Sequence, residues 1–271
     1  HTKDIERVYR EFHHRKNMNQ ALTVQELAIV VAAKDLKTSI ISADFLKYSG
    51  IIPGEWELNQ KPYVDNNGAK FSFKNGVNIV AETNRIIFAE AIGNKTNETV
   101  LIPNIISKFT QKLSNLDFQA IGINPRGFVA FGEEDAGRKF ITEKLLSPGA
   151  WQEEGEAGMR ASLNLMYKFR RAPLALNITE AALNQKDKKI PIVIFSGSFS
   201  YQVIGKTVEQ KLGYVNQVIG NWFTDITAFS SLVNDKFLAD VTGNISLAEA
   251  AVEVAQANAD GSDLFAVGAG A

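Results

Sequence analysis

The chain has 271 residues, 45% of them hydrophobic and 22% charged, a composition that buries a sizeable core and excludes disorder, collagen and coiled coil. Its 29 Lys and Arg against 30 Asp and Glu leave a net charge of −1, which provides no basic field for a phosphate backbone, so nucleic acid is not expected as a partner. There is no Cys, and the 3 His all fall in the first stretch of chain, as His1, His13 and His14; disulfides, thiolate chemistry, His-ligated metals and a Ser-His-Asp triad in the body are thereby excluded, and no cofactor is expected.

In chain order, residues 1–17 alternate charges with Ile5, Val8, Tyr9 and Phe12 on one helical face, which reads as an N-terminal arm or an extension ahead of Met18. Residues 27–34 form an apolar, β-branched strand. Ser42 then caps a short helix that stops at Gly50 and leads into Pro53-Gly54-Glu55-Trp56. Strand-like runs follow at 56–63, 69–73, 77–81 and 85–92, separated by turn residues such as Asn75-Gly76 and Thr83-Asn84 that signal hairpins. The helical spacing of Leu101, Ile105, Ile106, Phe109 and Leu113 predicts a helix over 100–116.

The same order then begins again. Residues 118–123 and 128–131 read as a strand interrupted by Pro125, 137–147 as a short helix, and Pro148-Gly149-Ala150-Trp151 as its exit. Strand-like runs cover 159–170, 174–183 and 190–204, with Gly197 expected as a bulge. A capping box from Thr207 to Gln210 opens one long helix whose apolar stripe reaches Val233. Phe45, Leu46, Pro53, Gly54 and Trp56 each have a counterpart 95 positions later, as 45 against 140 and 56 against 151 show. The expectation is an α+β fold, a tandem duplication of a β-α-(β-meander)-α unit with antiparallel sheets covered by helices, related by a pseudo-twofold axis. Its boundaries are 18–117 and 118–240, with 241–271 as a C-terminal docking tail, and the connecting strands could merge into one long sheet.

Candidate ligand-binding residues are Trp56 and Trp151, as aromatic platforms, and Arg126, Arg160, Arg170 and Arg171, whose guanidinium forks suit an anionic group. The acidic runs Glu133-Glu134-Asp135 and Glu153-Glu154-Gly155-Glu156 lack the ligand spacing of a calcium loop, and Ser196-Gly197-Ser198 lacks the ending of a phosphate loop. The Asn-X-Ser/Thr triplets at Asn94, Asn97, Asn177 and Asn244 read as chance. Ile5, Tyr9 and Phe12 at one end and Leu264 and Phe265 at the other are the candidate partner-binding residues. The run Gly261-Ser-Asp-Leu-Phe265 is similar to the bacterial sliding-clamp peptide, although it lacks that motif's initial Gln and has Ser262 in place of Leu.

No apolar run is long enough for a membrane span and the first thirty residues offer none for export, so a soluble, cytoplasmic protein without a membrane partner is expected. The leading functional expectation is a non-enzymatic structural or interaction protein that assembles with itself or with partner proteins through its terminal segments. The alternative is a small-molecule binding protein or carboxylate-based enzyme with a pocket between the two repeats.

Overall fold

Apolar side chains at every second position turn most of the chain into strands that bury one face. In the computed structural model, which describes residues 22–185 and 187–241, these are β1 (Thr23–Lys34), β2 (Tyr63–Val64), β3 (Gly68–Ser72), β4 (Val77–Glu82), β5 (Arg85–Ala91), β6 (Asp117–Ala130), β7 (Ser162–Lys168), β8 (Pro173–Gln185) and β9 (Lys188–Gln202). They form one antiparallel nine-stranded sheet in the order β2-β3-β4-β5-β1-β6-β9-β8-β7. Few helices accompany it: α1 (Ala43–Tyr48), α2 (Ile102–Lys112), α3 (Ala136–Lys139), α4 (Val208–Gly220) and α5 (Trp222–Leu232), with single π turns at Phe140–Leu145 and Val233–Phe237.

This corrects the expected duplicated α+β unit with its own helix-covered sheets. The reason is the pairing of β1 with β6 from Thr23↔Phe128 to Lys34↔Asp117, which leaves neither half an edge at the centre and joins all strands into one large sheet. Leu27, Ile29 and Val31 of β1, Phe88 of β5, Ile121 and Ile123 of β6 and Phe195 and Phe199 of β9 belong to the same buried core as Ile105, Phe109, Val215, Ile219 and Phe229 of α2, α4 and α5. Phe88 meets Phe109 edge-on at 5.5 Å between ring centroids.

Several local expectations change as well. The predicted helix over 207–233 breaks at Asn221, whose side-chain amide donates to the Gln217 carbonyl at 2.9 Å while Trp222 starts a new helix. Residues 56–62 contribute only a single bridge, Leu58 to Phe73, in place of a strand. Pro125 does not interrupt β6; the β6–β9 register is the same on both sides of it, Ile123↔Phe199 before and Arg126↔Ser196 after, although the residue has no N–H to offer. Gly197 is no bulge but sits in register opposite Leu176, and a Cβ there would stand 2.8 Å from the Phe229 ring. Glycine is what lets α5 lie against β9.

Helix α2 has no side-chain cap of its own, and its start is held from the sheet. The buried Glu90 of β5 accepts from the backbone N–H of Leu101 at 2.8 Å and of Ile102 at 2.9 Å, and Lys95 donates to it at 2.5 Å. A carboxylate here satisfies donors that an α-helix leaves unpaired and opposes the positive end of its dipole. Replacing it with an apolar residue of similar size strands those donors, so Glu90→Leu is expected to lower the free energy of urea unfolding by about 3 kcal/mol and Glu90→Gln by about 1 kcal/mol. Equal, negligible losses in both variants would show that the cap carries no stability.

Candidate functional site

Alternation along the strands sends Glu26 and Ala28 of β1, Asn124 and Arg126 of β6 and Ser196 and Ser198 of β9 to the face opposite the main core, and a groove of about 380 Å³ lies on that face. It is lined wholly by strand residues, from Glu26 and Ala28 on β1 to Asn164 and Met166 on β7. Its floor is set by register. Glu26 stands opposite Arg126, Arg126 opposite Ser196, Ser196 opposite Asn177 and Asn177 opposite Asn164, so one polar row crosses five neighbouring strands. At roughly 4.8 Å per strand the row is about 19 Å long.

A second row runs beside it with smaller and more apolar side chains: Ala28 opposite Asn124 on one side, and Ser198 opposite Ala175 opposite Met166 on the other. Within the polar row the Asn177 amide donates to Asn164 Oδ1 at 2.9 Å. Asn124 Oδ1 is buried and has no hydrogen-bond donor among the described residues. It lies over Gly122, whose missing Cβ would be 3.3 Å away.

The groove ends at β7, the last strand of the sheet. Among the described residues no strand pairs with its outer side, so half of its backbone N–H and C=O groups face outward. Met166 on this strand is 73% exposed. The opposite edge, β2, is only 2 residues long.

A separate polar cluster lies on the core face. Asp225 of α5, 2% exposed, accepts from the Tyr201 hydroxyl at 2.7 Å, and the Arg171 guanidinium is 3.8 Å from its other carboxylate oxygen and 6.0 Å from the Tyr201 ring centroid. Burial raises Asp225 above the ordinary carboxylate value, against the opposing effects of Tyr201 and Arg171. Burial first, and the bond to Asp225 second, push Tyr201 up as well.

The predicted ligand residues are dispersed among these places. Arg126 lines the groove, and the other candidates do not. Arg171 serves the Asp225 cluster, while Arg160 and Arg170 are exposed. Trp56 is half-buried and packs edge-on against Phe73 at 5.3 Å; Trp151, 55% exposed, stands on a 3-10 turn at Ala150–Glu153. Ile5, Tyr9, Phe12, Leu264 and Phe265 lie outside the described residues. Glu26, Asn124, Asn164, Asn177 and Ser196 are not among the residues the sequence marks as ligand-binding; Asn177 and Ser196 stand out there only in a triplet and in a loop pattern that the strands do not use, and the signal the others leave is a polar residue recurring at alternate positions of otherwise apolar strands. Among the described residues there is no group of three or more His, Asp or Glu able to hold a metal, and no helix is long and apolar enough to cross a membrane. No protein-family model matches the chain, and no curated protein matches it either.

The raised value of Asp225 has a sign that can be tested. Folding favours its protonated form, so the group costs nothing below its unfolded value of 3.8 and opposes the fold increasingly as pH rises through the raised native one. Asp225→Asn keeps an acceptor for Tyr201 and removes the charge. Measured by urea unfolding from about pH 4 to about pH 7, the stability of the variant relative to the native protein should rise with pH. A difference that stays flat across this range would mean that burial does not perturb Asp225.

Proposed function

We propose that this chain is a non-enzymatic structural or interaction protein that assembles with itself, and that the edge strand β7 is the surface it uses. The observation that supports this reading is the self-complementarity of β7. Edge strands are commonly blunted by brevity, proline, bulges or charge, whereas β7 runs 7 residues without proline and carries one charge, Lys168, at its end. Antiparallel pairing of two copies about Leu165 sets Leu163 opposite Tyr167 of the second copy and Leu165 opposite its counterpart. Those three side chains are partly buried against the core, and the pairing would continue their apolar row into the second subunit. On the groove face Asn164 meets Met166, and Ser162 meets Lys168, so no like charges oppose one another.

A second reading, a small-molecule binding protein, is favoured by the groove, whose lining holds one carboxylate, Glu26, directly across from Arg126. The paired carboxylates that a carboxylate-based hydrolase requires are not found there. The terminal segments, the other docking surfaces indicated by the sequence, lie outside the described residues and enter the test as variants.

The test is the solution mass of the full chain by light scattering. A mass twice the 29.8 kDa of one chain is expected. Asn164→Lys combined with Met166→Lys places lysine opposite lysine in the paired edge and should return the mass to one chain with little change in melting temperature. A native chain that is monomeric overturns the proposal. Dissociation on truncation before Met18 or after Val241, with the double lysine variant still dimeric, assigns assembly to the ends and not to β7.

A further inference from the structure

We infer that the groove on the face of the sheet opposite the main core is a binding site for a neutral, hydroxyl-rich linear ligand of the size of a short oligosaccharide. The inference rests on the small-molecule reading above and does not require assembly through β7.

Shape comes first. The polar row and its apolar neighbour run across β1, β6, β9, β8 and β7, perpendicular to the strands, so the groove is long in that direction and only two residues wide along the strands. A peptide adding to a sheet runs parallel to the strands and uses an edge. A chain lying along this floor instead meets a new side chain every ~4.8 Å, so it must present polar groups at a comparable spacing along its length.

Charge comes second. The row holds one carboxylate, Glu26, and one guanidinium, Arg126, so its formal charge sums to zero, and Ser196, Asn177, Asn164, Asn124 and Ser198 are uncharged. A phosphate or carboxylate ligand would meet as much repulsion as attraction. Among the described residues no aromatic ring lines the groove, so they give a nucleobase nothing to stack on.

Hydrogen-bond chemistry comes third. Hydroxyls and carboxamides, which Ser196, Ser198, Asn124, Asn164 and Asn177 bring to the floor, both donate and accept, as do the hydroxyls of a sugar. Ala28, Ala175 and Met166 provide the apolar strip against which the C–H faces of such a ligand can lie. The unbound protein also leaves Asn124 Oδ1 without a donor. The terminal torsion of an Asn amide is soft, so Asn124 can turn either its oxygen or its nitrogen to a ligand hydroxyl in the groove.

The experiment is isothermal titration calorimetry of the full chain with neutral linear tetrasaccharides of glucose, mannose, galactose and N-acetylglucosamine. In parallel arms, a Gly-Ser tetrapeptide and a sulfated tetrasaccharide serve as probes. At least one neutral tetrasaccharide is expected to bind. Asn124→Leu, close in size but without the amide, should weaken it about tenfold, the loss of one hydrogen bond. Ser198→Trp, which fills the floor, should abolish binding, and Lys108→Ala on the exposed side of α2 should leave it unchanged. Circular dichroism melts establish that each variant is folded, and the two groove variants check one another. Absence of neutral tetrasaccharide binding by the folded native chain, or binding that neither groove variant alters, overturns the inference. Binding of the peptide or of the sulfated sugar with the same dependence on the groove overturns the ligand class while leaving the groove a binding site. If no probe binds at all, the small-molecule reading fails with it.

Discussion

Between Thr23 and Lys34 on β1 and Asp117 and Phe128 on β6, backbone hydrogen bonds join two stretches of chain that are distant in sequence. Closing so long a loop costs entropy, and the burial that follows must offset it. Once this ladder exists, β5, β4, β3 and β2 extend from β1 on one side, and β9, β8 and β7 extend from β6 on the other. The ladder also lays the first step of the polar row, Glu26 beside Arg126, and of its apolar neighbour, Ala28 beside Asn124. Asn124 and Pro125 fall within the floor of the groove, between the pairs Ile123↔Phe199 and Arg126↔Ser196 of an unshifted register. A proline in a central strand removes one ladder donor without changing that register.

Polar groups on the core face hold the helices in place. Glu90 reaches from β5 to the start of α2, and Asp225 reaches from α5 to Tyr201 on β9. Apolar packing resists separation but tolerates sliding, whereas a buried carboxylate is satisfied in one position only. Gly197 adds a steric condition by admitting the Phe229 ring against β9. The helical layer is therefore fixed on one side, and the groove on the other side rests on a floor whose register does not shift.

Signals confined to a few neighbouring residues were legible in the sequence. Ser42 and Thr207 do cap α1 and α4, accepting from Phe45 and Gln210, and Asn75-Gly76 and Thr83-Asn84 do turn hairpins, with Gly76 and Asn84 at positive φ. Asn221 was harder to read, because a continuous apolar stripe hides a break made by one side chain bonding back to Gln217. The merger into one sheet depends on which strands meet at the centre, and alternation along a strand says which face it buries but not which neighbour it pairs with. The site was less legible for the same reason. Glu26, Arg126, Ser196, Asn177 and Asn164 become a row only when four registers are known together. Arg126 was found as a residue type suited to ligands; its companions were sought among other arginines, which the fold sends elsewhere.

The proposed assembly and the proposed groove use β7 in perpendicular directions. Its backbone N–H and C=O groups lie in the plane of the sheet and point sideways, while Asn164 and Met166 belong to the groove on one face. Edge pairing therefore leaves the groove open. Pairing about Leu165 also places the Met166 of a second copy beside Asn164, at the outer end of the polar row. A ligand long enough to reach that end touches both copies and gains contacts in the dimer that the monomer does not offer. Such a difference in contacts is what couples two equilibria, and the coupling is reciprocal: ligand favours association to the same extent that association favours ligand.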